Sequence, residues 1–411
     1  MLKINHKKSV MLFLLSTLLG AASLTSLGSA DFPIDPSIST LRYSLVILSL
    51  TLPFFLFHIN SWHFSRTYRL IVLIWLSFSL VTIIAAVYHE SYSSFIEGLW
   101  FFFGVPIIFF FSLPNLLQKH ANSLIALSLI LGHFPYLLFS LITSPVISYP
   151  YRGLLGNPNQ MGVTCSTIAA GVFILLDGIE VNKRSIVPTL ALISALLLLF
   201  IFVVLSNSRT SIISFFLMFV TLLMSFFIKK QSIKKNILKL IFLFLPILTL
   251  LLISLSSEYI GLAWSQALFK FAGSTTNDAL SGRTDIWKTV LEEVAPLGHG
   301  KEYFDIKFGL SGHNSIIQVL GSEGALAALM MFCFAIISIF YTYRYMRGTF
   351  SQNNYAISPL MITVCFWTLS MGEVMFGALG RGITLAYFLS VGMVITKQSN
   401  ISSIPNTNTT Q

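Results

Sequence analysis

Charge is scarce in this chain. Only 10% of its 411 residues are Asp, Glu, Lys or Arg, where a soluble domain carries about a quarter. That scarcity excludes an ordinary soluble globular protein. Cysteine is scarcer still. Cys165, Cys333 and Cys365 all lie in apolar stretches, and no CxxC or Cys/His spacing joins them. Neither a disulfide framework nor a zinc site is indicated. The lack of an Asp-rich cluster leaves no divalent-metal site. No Walker motif is present and no glycine pattern follows a strand, so nucleotide binding has no support. There is no internal repeat.

What the chain has instead is apolar. Its residues are 55% hydrophobic and its mean hydropathy is +0.81. A run of about 20 apolar residues spans a bilayer. Lipid cannot satisfy backbone polar groups, so such runs must be helices or strands of a closed barrel. Barrel strands alternate apolar and polar residues, and stretches such as Ile186 to Leu205 do not. The expected fold is therefore an all-α polytopic membrane protein.

About twelve apolar segments are expected, near 10–29, 41–59, 69–88, 95–113, 121–143, 160–178, 186–205, 210–228, 237–256, 314–341, 357–376 and 382–396. Residues 1–256 then hold nine spans, 257–313 form one large outer loop with short helices, and 314–396 hold three more spans. The polar Ser/Asn/Thr-rich tail 397–411 is expected to be disordered and cytoplasmic. The first segment also reads as a signal peptide. Lys3, Lys7 and Lys8 precede it, and Gly28-Ser29-Ala30 could be cleaved. The spans that follow favour a retained helix.

A net charge of +10 raises nucleic acid as a partner, but the placement of the charge argues against it. Most Lys and Arg sit in short loops that fall on one side when both termini are cytoplasmic, as the positive-inside bias requires. Within the outer loop, Gly282 to Val294 is expected to be a helix with Ser281 as its cap. Ile286, Val290 and Val294 recur on one face, with Trp287 and Leu291 alongside.

Arg152, Arg209, Arg283 and Arg381 fall on the outer side, against this bias. A guanidinium fork matches phosphate oxygens, so several arginines on one face suggest a phosphate or pyrophosphate site. The bland alternative is that each reaches to lipid headgroups. His313, where the outer loop enters a span, is a candidate proton carrier, and His299 in the same loop competes with it. Glu373 is expected inside the eleventh span, where an acid needs a partner. It serves either as a structural ion pair or directly at the site, and Glu323 carries the same ambiguity.

Taken in order, several motifs share that outer face. They are Gly156-Asn157-Pro158-Asn159, Ser208-Arg209-Thr210 and Ser281-Gly282-Arg283-Thr284-Asp285-Ile286-Trp287. Gly298-His299-Gly300 and His313-Asn314 follow, with Gln318 and Gly324 beyond. The set resembles the O-antigen ligase and O-antigen polymerase superfamily over roughly residues 70 to 395.

The resemblance implies a metal-independent membrane glycosyltransferase with a GT-C-like fold and no cofactor, in the bacterial inner membrane. It would take a glycan from undecaprenyl pyrophosphate at the periplasmic face. A ligase passes the glycan to lipid A–core; an O-antigen or capsular polymerase passes it to another lipid-linked glycan. By motif, Arg209 and Arg283 would bind the donor pyrophosphate, with Arg152 and Arg381 in support. His313 would act as the general base, with Asn314 and Glu373 supporting. The Gly309-Leu310-Ser311-Gly312 stretch before His313 departs from the family pattern, in which another His or Pro is common. A transporter or flippase is the alternative from another class, and Glu373 is the residue that fits it.

Overall fold

The computed structural model describes residues 6–27, 36–57, 69–117, 120–144, 149–179, 186–229, 283–349, 354–377 and 380–397. The expected ninth span, residues 257–282 of the outer loop, the Ser281 cap, the cleavage site and the tail from 398 lie outside them. The described residues are helical, with one isolated bridge between Leu27 and Leu155.

Among the described residues, nine helices are long and apolar enough to cross a membrane. Eight come first: α1 (His6–Ala22), α2 (Pro36–Leu56), α3 (Arg69–Tyr88), α4 (Tyr92–Leu117), α5 (Ala121–Thr143), α6 (Pro158–Gly178), α7 (Ile186–Leu205) and α8 (Arg209–Ile228). Three short helices follow, α9 (Arg283–Glu292), α10 (Tyr303–Phe308) and α11 (Ser315–Ser322). The ninth long helix is α12 (Ala325–Thr349). Two shorter apolar helices, α13 (Ser358–Ser370) and α14 (Gly382–Lys397), complete the set.

The chain is thus an all-α polytopic membrane protein. Its centre is formed by α6, α13 and α14, which are almost wholly buried. The outer ring keeps lipid-facing residues such as Leu73, Phe103, Phe216 and Phe332 exposed. Lipid is as apolar as leucine, so helices associate by close packing, which small residues permit. In α6, a Cβ on Gly171 would lie 2.5 Å from the Ala126 carbonyl of α5.

Buried polar groups are matched locally. The middle of α4, Trp100–Ser112, is wound as a π-helix and contains Pro106. In i→i+5 winding the Phe101 carbonyl would accept from residue 106, and proline has no N–H to give. Trp75 Nε1 of α3 donates to that carbonyl instead, at 2.7 Å. At the end away from the site, Lys229 Nζ donates to Asp177 Oδ2 at 2.8 Å and to the Asn354 carbonyl at 3.4 Å, closing α6 and α8 against the turn before α13.

Two expected spans are shaped differently. The stretch 314–341 divides into α11 and α12 at Gly324, whose φ is +97°. A Cβ there would lie 2.3 Å from the Gly298 nitrogen and from the Pro296 carbonyl oxygen. The break exists because the loop ahead of it packs into the bend. The stretch 357–376 is helical only to Ser370. Glu373 accordingly lies in the non-helical segment between α13 and α14, not inside a membrane helix.

Candidate active site

The site is assembled at one end of the bundle, where α6, α8, α9 and α11 begin and α13 ends. Each start is locally encoded. Asn157 caps α6 by accepting from Gln160 N at 3.0 Å, with Pro158 in the first turn. Asn314 caps α11 through bonds from Ile316 N and Ile317 N at 2.9 and 3.2 Å. Arg209 is the first residue of α8, reached through Asn207 in the left-handed region at φ 55°. The loop ahead of α6 is pinned on both sides. Tyr151 N donates to the Leu205 carbonyl at 2.8 Å, and Gly156 N to the Ser26 carbonyl at 2.9 Å.

A cleft of about 880 Å³ opens here. Arg209, Arg283, Asn157, Asn159 and Trp287 line its polar end, and Ile213, Leu217, Phe332, Ile336 and Ile339 continue it between α8 and α12. From Arg209 to Leu217 the apolar wall runs about 12 Å along α8, at 1.5 Å per residue.

Glu373 organises the cations behind the cleft. Its carboxylate accepts from Asn159 Nδ2 at 2.8 Å. It lies 4.0 Å from Arg283 Nη2 and 3.9 Å from Arg381 Nη2. Arg283 Nη1 also donates to the Gly372 carbonyl at 2.9 Å. Arg381 Nη1 is buried with no hydrogen-bond partner among the described residues. Two cations, Arg283 and Arg381, thus share one carboxylate, and Arg209 lies close enough for the Arg283 charge to lower its pKa further after burial. Burial lowers the Arg283 pKa, and Glu373 partly restores it. A desolvated guanidinium held this way is a strong site for an anion.

His313 sits beside this group in the left-handed region at φ 48°, a conformation that costs a non-glycine residue free energy. Its neighbours hold it there. Trp287 Nε1 donates to the Gly312 carbonyl at 2.8 Å, Gly312 N donates to Gln318 Oε1 at 2.8 Å, and Asn314 Nδ2 donates to the Met371 carbonyl at 3.4 Å. The Nδ1 atom of His313 is buried without a partner among the described residues. Burial lowers its pKa and the Arg283 charge lowers it further, with Glu373 opposing. The ring is therefore neutral at pH 7 and able to take a proton.

The structure brings Arg209, Arg283, Arg381, Glu373, His313 and Asn314 to one end of the bundle. Arg152 lies in the loop ahead of α6, between Pro150 and Asn157 of the cleft wall, but does not itself line the cleft. His299 is elsewhere. It is exposed, stacked on Tyr303 and bonded to the Glu293 carbonyl at 2.7 Å. Glu323 accepts from Thr82 Oγ1 at 2.6 Å on α3, away from the cleft.

Three contributors were given no role from the sequence. Asn159 and Trp287 enter there only as members of motifs, Trp287 also on an apolar face. Ser315 gave no signal, yet its hydroxyl donates to the Glu373 carbonyl at 3.2 Å and accepts from Met375 N at 3.0 Å. Among the described residues no group of three His, Cys, Asp or Glu side chains could hold a metal ion.

A bundle of membrane-crossing helices with a cationic, partly apolar cleft at one end defines a multi-pass membrane protein. Within it, residues 194–332 match the family model described as O-antigen ligase. The match supports the O-antigen ligase and polymerase superfamily, and with it an activity of that class. It includes Arg209, Arg283, His313 and Asn314; Arg152, Glu373 and Arg381 fall outside it. No curated protein matches the chain.

Proposed function

We propose that this protein is an O-antigen ligase. It transfers a glycan from undecaprenyl pyrophosphate to lipid A–core, with the cleft facing the periplasm, both termini cytoplasmic and the bundle in the inner membrane. The observation that carries this reading is the form of the cleft. Its charged end suits a pyrophosphate, and its apolar continuation between α8 and α12 suits the lipid on which that pyrophosphate is carried.

In the reaction, an acceptor hydroxyl oxygen attacks the anomeric carbon of the donor sugar. The bond from that carbon to the pyrophosphate oxygen breaks, and the bonding electrons leave with the pyrophosphate. Arg209 and Arg283 stabilise the charge that builds there, a role that Mg²⁺ fills in other phosphate-handling sites. His313 takes the hydroxyl proton. Glu373 holds Arg283 and Arg381 beside one another, Arg381 adds a supporting positive charge, and Asn314 holds the His313 turn against Met371. Loss of the pyrophosphate leaving group supplies the driving force, so no nucleotide is consumed.

The test is deletion of the gene in a smooth Gram-negative host, with a lipopolysaccharide gel and analysis of the undecaprenyl-linked pool. A ligase leaves long chains stranded on the carrier. Lipopolysaccharide bearing a single repeat unit would instead make the protein a polymerase. Unchanged long-chain lipopolysaccharide would remove both.

A further inference from the structure

A second cavity, of about 980 Å³, runs between α1 and α5. It is separate from the cleft, and no step of the proposed reaction uses it. Gly20 and Gly132 form its floor, where a Cβ on Gly20 would lie 2.7 Å from the Gly132 carbonyl oxygen. From Ser123 to Phe139 the groove follows α5 for about 24 Å, at 1.5 Å per residue, most of the roughly 30 Å hydrocarbon thickness.

Its polarity is one-sided. Lys8, Ser9, His120 and Ser123 lie at one end, and Leu27, Phe139 and Leu154 at the other. Among the described residues no carboxylate stands within ion-pair distance of Lys8. The first turn of α5 opens at the same end, and its N-cap residue His120 makes no side-chain capping bond. The N-terminal end of a helix adds to the positive potential there.

We propose that this groove is a binding site for an anionic phospholipid. The phosphate sits between Lys8 and His120, and the acyl chains lie along α1 and α5. Two features select this occupant. A basic pocket between membrane helices favours anionic over zwitterionic headgroups. Further along, the Tyr136 hydroxyl is already committed to the Gly20 carbonyl at 2.6 Å, and the far end at Leu27, Phe139 and Leu154 is apolar, which suits acyl chains rather than a second headgroup or a peptide backbone.

The experiment is native mass spectrometry of the full-length protein purified in mild detergent. It is titrated with phosphatidylglycerol or with phosphatidylethanolamine of identical chains. Phosphatidylglycerol is expected to bind more tightly, with affinity falling roughly fivefold when the Lys8 charge is removed. Lys8→Gln with His120→Gln should abolish the preference. Leu131→Trp, at a lining position that is half exposed, should obstruct the groove and weaken both lipids while the protein keeps its thermal unfolding temperature. Equal binding of the two lipids to the wild type would overturn the proposal. So would a preference that survives the double substitution and Leu131→Trp together. Displacement of phosphatidylglycerol by a polyprenyl phosphate from the wild type, but not from Leu131→Trp protein, would assign the groove to a different lipid and also overturn it.

Discussion

At the scale of single residues, the site depends on charge held out of water. Replacing Arg283 by Ala removes a cation that faces both the cleft and Glu373. Glycan transfer in membrane vesicles should fall about 100- to 1000-fold, the usual cost of one transition-state donor, with membrane levels of the protein unchanged. Arg283→Lys should also impair transfer, because a point charge replaces a planar fork; wild-type rates in both variants would remove Arg283 from the site. His313 leads to a pH prediction. Its pKa lies below the ordinary histidine value, so the base stays neutral as pH falls through that value, and rate is lost only at more acidic pH. Glu373 is the group that raises it. Glu373→Gln should therefore move the acidic limb to still lower pH, and a limb that stays in place or moves up would show that Glu373 does not act on His313. The arginines were legible in the sequence because cations set against the charge bias stand out, and His313 because it sits where the outer loop enters a span, in a motif with Asn314. Asn159 and Ser315 were not, because a small polar residue at a helix start fits a turn whether or not it also holds a carboxylate.

Elements show a different limit. Apolar content identifies stretches that can enter a membrane, but it does not see where a helix breaks. Residues 314–341 and 357–376 both read as continuous spans, and both are interrupted beside the site. The first break depends on two glycines that face each other. Gly298, at φ +71°, leaves 2.5 Å between a built Cβ and the Ser322 carbonyl oxygen, and Gly324 approaches the Gly298 nitrogen. Around this bend the outer helices are clamped to the bundle. Lys301 Nζ donates to Glu97 Oε2 at 3.0 Å, and His89 Nε2 meets the Leu297 and Gly298 carbonyl oxygens at 3.1 Å. Glu323 closes the clamp, and its pKa is pushed up to about 7, first by burial and then by the Glu97 charge. A carboxyl with a raised folded-state pKa binds protons that the unfolded chain has released. Its stabilising effect is full below the unfolded value and is lost as pH rises towards 7. Glu323→Gln should raise the unfolding temperature at pH 8 and leave it nearly unchanged at pH 4. Equal shifts at both pH values would mean that the carboxyl does not titrate in this range. Gly324→Ala should detach the bend, measurable as faster proteolysis of the segment from Arg283 to Ser322.

For the whole molecule, the all-α membrane-crossing architecture was legible, since long apolar runs without alternation can only be helices in lipid. The long apolar side of the cleft was not, because Ile213 and Leu217 of α8 and Phe332, Ile336 and Ile339 of α12 are more than a hundred residues apart in the chain and line one cleft only in the fold. That wall is what joins the charged site to the membrane. If it carries the lipid of the donor, binding and chemistry divide along its length: the arginine end acts on the transition state, and the apolar end contributes mainly uniform binding, which sets KM. Ile336 lines this wall and is half exposed to lipid, so a larger side chain there can fill the cleft without entering the core. Ile336→Trp should raise KM for the full-length polyprenyl donor roughly tenfold, a cost of about 1.4 kcal/mol, while kcat changes little. With a donor analogue carrying a short prenyl chain the same substitution should have almost no effect. An equal loss with both donors would place the lipid somewhere else on the bundle and leave the apolar wall as packing surface alone.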